Sequence, residues 1–452
     1  MILNLDAAMN LGHRSNRNRM AQKFPSNPQK FTADVNLKQI LAHECRATTR
    51  CCENAEGSSF SPRCFLRSQL GGRTRADDLF SNFKRKVIEK RIKHLRISWR
   101  HRIPFMPSNE YGIFCMDIDP VEQRYLLCGS CNGVISIVDL EMPLSKDSTR
   151  SLEHAIVSST HRHGHKFLVT SCQWFPQDTS TFLSASMDKT MKLWDTNKMK
   201  VVDEYAFREE VVQFHWSGVP SRRSLIAVAN MTSNIELIDP RAGDAIQNLR
   251  WKTEYVSAVR WSPEHDNFLL TGGKHGNVVL WDVRSAKSHL KTLCAPLENA
   301  HPACVGGIRF SDDGLHVVSM SIDRVLRVWR AHTMELVNTI KLPKESIDAA
   351  LRVPSIHFDI MSEDGVLRAC IPLGDEVLVL NVEETRNAYR SLLVGHFQFV
   401  NACVYRKERH QVISSSNDRM ILVWSPAMDE ILPDGLSDAV RRLQLDEWSD
   451  ED

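Results

Sequence analysis

The residues of this chain with the greatest capacity for chemistry are histidines, serines and aspartates that recur together. His165, His301 and His396 stand at a near-constant distance ahead of Asp188, Asp323 and Asp418. A His, a Ser and an Asp within hydrogen-bond reach can activate a hydroxyl as a nucleophile. Each of these aspartates, however, is followed six positions later by a tryptophan, in the stretches SMDKTMKLWD, SIDRVLRVWR and SNDRMILVWS. Catalysis needs one such constellation, whereas a set that returns with a tryptophan at its end suits a hydrogen-bonded brace. A His, a strand Ser and the turn Asp can link to the indole N–H, which buries a large ring with its one donor satisfied. The brace set is His165, Asp188, Trp194, Trp281, His301, Asp323, Trp329, His396, Asp418 and Trp424, and no catalytic residue is expected.

Thiol and metal chemistry is weaker still. Cys128-Gly129-Ser130-Cys131 has CxxC spacing, but it runs along a strand into a turn, without the strand-to-helix setting of a redox motif and without a second pair for zinc. His43, Cys45, Cys51 and Cys52 fit no tight ligand pattern. Structural thiols, no metal and no cofactor are the expectation.

The braces must be positioned by a repeating element. The spacing from turn residue to strand end returns as His275 to Trp281, Asn132 to Val138 and Thr232 to Ile238. Residues following each strand end are Asp139, Asp195, Asp239, Asp282, Arg330, Asn381 and Ser425, at intervals slightly longer than the ~40–45 residues of a four-stranded blade. A second marker, in register with the first, ends an earlier strand of several repeats: Trp174-Phe175-Pro176, Trp216-Ser217, Trp261-Ser262-Pro263 and Phe310-Ser311-Asp312. With Trp194-Asp195 and Trp281-Asp282, the pattern resembles the WD40 repeat, which implies an all-β, seven-bladed β-propeller. Between Ser355 and Glu383 the Trp and turn Asp are missing, and only Val377-Leu378-Val379-Leu380 with Gly374 marks a sixth blade. The last blade needs an outer strand, because Pro426 and Pro433 leave little strand-forming chain after Trp424; Arg96-Ile97-Ser98-Trp99-Arg100 is placed to supply it.

Seven blades occupy roughly 300–330 residues, so a chain of 452 residues has flanking segments. Residues 1–60 are basic and without sustained period, which predicts a flexible extension rather than a transit peptide, since Asp6 is present and an apolar face is nearly absent. The boundaries read as 61–96 for a helical segment, 97–430 for the propeller and 431–452 for an acidic tail. A net charge of +2 argues against global nucleic-acid affinity. No apolar run approaches the ~20 residues of a membrane span, so an intracellular, soluble protein with no membrane role is expected.

Two features suggest a partner. From Arg75 to Ile97, Leu79, Phe80, Phe83, Val87, Ile88, Ile92 and Leu95 fall on one helical face, and Cys64 to Leu70, with Phe65 and Leu66, reads as a shorter helix stopped by Gly71-Gly72. The stripe is expected to enter another protein's groove; the alternative is a helix folded over the propeller's own edge. The second feature is Trp281-Asp282-Val283-Arg284, echoed by Ile238-Asp239-Pro240-Arg241, which places two arginines on one rim of neighbouring blades.

These boxes, with a helical pair ahead of the propeller, resemble the substrate receptors of cullin-4 ubiquitin ligases, which dock on the adaptor named UV-damaged DNA-binding protein 1. Within that group the resemblance extends from about Phe65 to the C-terminus, through MDIDPVEQRYLLCGSCNGVISIVDLE, SCQWFPQDTSTFLSASMDKTMKLWDTN and DEWSDED. It implies a non-catalytic nuclear subunit that acts with the Cockayne syndrome group B protein at stalled RNA polymerase II in transcription-coupled nucleotide excision repair. It further implies adaptor contacts through Phe65, Leu66, Leu79, Phe80, Phe83, Val87, Ile88, Ile92, Arg241 and Arg284, and a substrate-facing rim on the opposite side. No small-molecule ligand is implied.

Overall fold

Alternating β-branched and polar stretches, each closed by a tight turn, fold into seven antiparallel sheets; in six the strands run in chain order from the inside out, and the seventh takes its outermost strand from the start of the chain. The structure, a computed structural model, describes residues 85–426 apart from 87, 99–111, 142–154, 159–163, 220–223, 244, 252–254, 286–288, 296–297, 344–354, 364 and 384–389. Contacts divide the chain into Met1–Phe83 and Lys84–Asp452, and the described residues all lie in the second unit. Phe65, Leu66, Leu79, Phe80, Phe83 and Val87 are outside the described residues, as are the basic extension, the acidic tail and His43, Cys45, Cys51 and Cys52.

The inner strands of blades one to seven are Ile113–Ile118, Val169–Trp174, Val211–Trp216, Val256–Trp261, Val305–Phe310, Asp359–Glu363 and Val400–Arg406. All but that of blade six carry a register shift after their first residue, a local bulge that bends the strand and increases its twist. Between blades the core is apolar. Trp194 of the third strand faces Phe182 of the second, stacked with centroids 5.8 Å apart, and both are fully buried. Blade six is complete despite its weak signature: Asp359–Glu363, Val366–Leu373, Glu376–Asn381 and Arg390–Val394 form one sheet, with Gly374 at a φ of 62° in the turn. Its apolar strands replace the missing tryptophan with several smaller buried side chains, Cys370, Val379 and Leu380 among them.

The ring closes between blades seven and one, where Asn401 Nδ2 donates to the Ile113 carbonyl at 2.9 Å and Arg406 pairs with Glu141 at 2.9 Å. The outer strand of blade seven is Leu95–Ile97, from ahead of the first blade, paired antiparallel through Leu95↔Pro426, Arg96↔Ser425 and Ile97↔Trp424. It begins one residue earlier than Arg96 because the preceding helix ends at residue 93 and the chain turns at His94. Propeller strands therefore run from Leu95 to Pro426.

The helix corrects the expected use of its apolar stripe. Ile88 and Ile92 are only 6% and 1% exposed, packed with Leu95 among Met361, Val377, Val379, Leu393 and Trp424 of blades six and seven. These two isoleucines belong to the chain's own core and are not presented to a partner. The physical reason is the short connection to Leu95–Ile97: a helix ending one residue before a strand of blade seven has that blade's edge as its nearest apolar surface.

Candidate interaction surfaces and the axial charge ring

The recurrent His, Ser and Asp do form a relay. In blade two, the Trp194 indole N–H donates to Ser184 Oγ at 2.8 Å, and Ser184 Oγ lies 2.7 Å from His165 Nε2. The indole can only donate, so the Ser hydroxyl proton is left for Nε2, and Nδ1–H then points to Asp188 Oδ2 at 3.0 Å. Blade seven repeats this with Trp424, Ser414, His396 and Asp418 at 2.8, 2.8 and 2.9 Å. Burial pushes the Asp188 and Asp418 carboxyls up, but bonds from the histidines, from the backbone N–H groups of Lys166 and Phe397 and, at Asp188, from the Thr190 hydroxyl outweigh it and hold both below the usual carboxylate range. Ser184, Ser319 and Ser414 have no exposed surface. A hydroxyl sealed under an indole cannot reach a substrate.

Blade five departs from the pattern. Trp329 and His301 still meet Ser319 Oγ, at 2.8 and 2.7 Å, but His301 Nδ1 is buried without a partner and Asp323 bonds Ser321 instead. Burial, with Arg327 nearby, pushes the His301 ring down to about 3, so it stays neutral. In blade four, Thr271 Oγ1 accepts the Trp281 indole N–H at 2.8 Å.

The two rim arginines lie after the third strands of blades three and four, at the end opposite the brace turns; that brace end is called the top and the arginine end the bottom. Arg241 is exposed, and its backbone N–H donates to Asp239 Oδ1 at 2.9 Å. Arg284 is two-thirds exposed, but its guanidinium already grips its own Asp282, Nε to Oδ1 at 3.0 Å and Nη2 to Oδ2 at 2.7 Å. A partner's carboxylate would compete with Asp282 for that fork.

A third set was not singled out from the sequence. One residue before the second marker, the inner strands of blades one to six carry a polar side chain, and in five of them it caps the next blade. Asp117 Oδ2 accepts the Trp174 N–H at 2.8 Å, Gln173 Oε1 that of Trp216 at 2.8 Å, and His215 Nδ1 that of Trp261 at 3.1 Å. Arg309 Nε donates to the Phe358 carbonyl at 2.9 Å, and Asp359 Oδ2 accepts the Tyr405 N–H at 2.9 Å. Asp117, Arg260, Arg309 and Asp359 keep some solvent contact, yet strand walls surround them. Burial pushes Asp117 up to about 7 and Arg260 down to about 9, with the opposite charges of the ring offsetting part of each effect. The signal that would have found the ring is a polar residue interrupting an apolar strand just ahead of Trp174, Trp216, Trp261 and Phe310.

The WD domain, G-beta repeat family matches residues 157–195, 243–282, 290–330 and 388–425. The fold is a WD40 propeller. The four matched WD40 segments end on the strands carrying Trp194, Trp281, Trp329 and Trp424, whereas the third strands of blades one, three and six, which hold Val138, Ile238 and Leu380 at the tryptophan position, fall outside them. Among curated relatives, the chain is 24% identical over 465 residues to the WD repeat-containing protein ATCSA-1 of Arabidopsis thaliana, covering 85% of this chain and 99% of that protein. It is 26% identical to Radiation-sensitive protein 28 of Saccharomyces cerevisiae, covering 43% of each, and 25% identical to a Ribosome biogenesis protein WDR12 homolog of Anopheles gambiae, covering 41% and 44%. Of these last two relatives the chain therefore spans less than half the length. WD40 propellers are generally non-catalytic scaffolds. No helix among the described residues is long and apolar enough to cross a membrane, and no group of His, Cys, Asp or Glu among them could hold a metal ion.

Proposed function

We propose that this chain is a substrate-recognition subunit of a cullin-4 ubiquitin ligase acting in transcription-coupled nucleotide excision repair, the counterpart of the Cockayne syndrome group A protein. The observation that carries the reading is the pair of exposed arginines, Arg241 and Arg284, on the bottom rim of neighbouring WD40 blades. Each follows an aspartate by two residues, so a strand-end carboxylate fixes the backbone of the loop that presents it. The near full-length likeness to ATCSA-1 and the likeness to a radiation-sensitivity protein favour repair. In this reading the adaptor, UV-damaged DNA-binding protein 1, docks on the bottom rim and on Phe65, Leu66, Leu79, Phe80, Phe83 and Val87. The Cockayne syndrome group B protein and stalled RNA polymerase II engage the top. Ubiquitin chemistry resides in the partner subunits, and the complex works in the nucleus.

Capture of purified adaptor and cullin-4 by the parent chain tests this. Arg241→Ala with Arg284→Ala is expected to weaken capture by about 1–3 kcal/mol per arginine, less at Arg284, whose fork must leave Asp282. Phe80→Asp with Phe83→Asp is expected to weaken it more, since carboxylates in an apolar groove add a desolvation cost. Folded double variants that capture adaptor at parental levels overturn the reading. They would favour the second one, a scaffold of another nuclear assembly, to which the likeness to ribosome biogenesis proteins points.

A further inference from the structure

We propose that the top mouth of the propeller docks an acidic peptide carrying apolar anchor residues; this deepens the receptor reading above and rests on it. One backbone hydrogen bond recurs in six blades between the first residue of the turn after the second strand and the residue that leads into the inner strand. It joins Cys131 to Gly112, Met187 to Leu168, Met231 to Glu210, Lys274 to Tyr255, Ile322 to Cys304 and Asn417 to Phe399, at 2.9–3.2 Å. The bond fixes one pair of side chains per blade at the inner edge of the mouth.

These pairs are mostly apolar, and Leu168, Met187 and Met231 rest one side on the buried core. Leu168, Met187, Met231, Tyr255, Ile322 and Phe399 are all partly or largely open to solvent. Methionines give such a surface the capacity to adapt to more than one anchor shape. Outside the inner edge stand two further aromatics, Phe167 and Phe397, 61% and 82% exposed. Their loops are held by the braces: the Phe397 N–H donates to Asp418 at 3.0 Å, and the Phe167 carbonyl accepts from Ser186 at 3.1 Å. Large rings on a backbone that is already fixed lose little conformational freedom on binding.

Charge selects the class of peptide. The exposed cations on the described top loops are Lys166, Lys189, Arg208, Lys274 and Arg419. Against them stand two exposed carboxylates, Glu209, which Lys189 already engages at 3.5 Å, and Asp375, and the half-buried Glu210 of the inner edge. Cations around an apolar mouth attract an acidic segment and repel a basic one. A nucleic acid shares the charge, but aliphatic Leu, Ile and Met side chains give a phosphate backbone nothing to bind.

The experiment is selection of a random peptide display library on the full chain, with a duplex oligonucleotide as competitor. Selected peptides are expected to be acidic with Leu, Ile, Phe or Trp anchors. Lys166→Glu with Lys274→Glu, or Phe397→Ser with Phe399→Ser, should weaken a selected peptide by about ten-fold or more, whereas Arg284→Ala should not. Thermal melts at the parental midpoint verify folding, and Lys166→Glu alone serves if a double variant unfolds. Absent enrichment, basic or neutral selections, binding indifferent to the top variants, or displacement by the oligonucleotide each overturn the proposal. Adaptor capture read in parallel separates the two ideas: peptide binding without adaptor capture ends the receptor reading and leaves the docking surface standing.

Discussion

In the braces of blades two and seven the aspartate answers more donors than the histidine alone. Removing the Asp418 carboxylate strands His396 Nδ1–H and the backbone N–H groups of Phe397 and Met420. We expect Asp418→Ala to cost about 2–4 kcal/mol, and Trp424→Ala about 3–5 kcal/mol from the cavity it leaves. Asp323→Ala should cost about 1 kcal/mol, because His301 never engages Asp323. Urea midpoints of the three variants check the order, and an equal loss at Asp418 and Asp323 would refute the relay. The carboxylates also differ in the sign of their pH dependence. Asp188 and Asp418 sit below their unfolded value, so their stabilisation is complete above the usual carboxylate range and is lost as pH falls through their lower folded values. Asp117 is raised from 3.8 to about 7, so its ionisation draws stability down as pH climbs across that interval. Asp117→Asn keeps an oxygen for the Trp174 N–H and should flatten that part of the stability profile in denaturant melts at successive pH values; an unchanged slope would show that Asp117 is charged throughout. The brace was legible in the sequence because His, Asp and Trp recur at fixed spacing. The axial ring was not, because Asp117, Gln173, His215, Arg260, Arg309 and Asp359 share a position but no residue type.

The turns before the third strands show how neighbouring blades constrain one another. Gly133, Gly276 and Gly374 have φ values of 86°, 81° and 62°, and each belongs to the blade preceding a brace histidine, His165, His301 or His396. A Cβ on Gly133 or Gly276 would overlap the carbonyl of His165 or His301. The corresponding turns of blades two, five and seven hold Lys189, Arg324 and Arg419 at equally left-handed φ values of 66° to 69°, tolerated at a conformational cost without that clash. Gly276→Ala should therefore destabilise by about 2–4 kcal/mol, combining a disfavoured φ with a displaced backbone. Arg419→Gly should be neutral or slightly stabilising. Thermal melts of both distinguish the steric account from a general intolerance of these turns. Elements with a tryptophan, and the closing strand near Arg96, could be placed from the sequence. Blade six was legible only as Val377–Leu380 with Gly374, and its other strands needed the structure, because no tryptophan or turn aspartate marks them. The destination of Ile88 and Ile92 needed it too, because a helical stripe tells that a face is apolar and not whose surface covers it.

The molecule as a whole depends on the pairing of Leu95–Ile97 with the last strand, supported by Ile88 and Ile92 beneath. Deleting residues 1–97 should leave the outer edge of blade seven unpaired and yield aggregated protein, whereas deleting residues 1–60 should leave melting and solubility unchanged. Size-exclusion chromatography reads both, and a monomeric longer deletion would mean that another segment closes the blade. The same pairing sets a timetable for synthesis. The closing strand leaves the ribosome before any blade exists, and its partner, Ile421–Pro426, is made after all the others. At ~5–20 residues per second, the strand and its isoleucines wait from about 15 seconds to about a minute with no partner. For that interval the nascent chain carries a closing strand without its partner, a window in which chaperones, or a neighbouring nascent copy, compete for that strand.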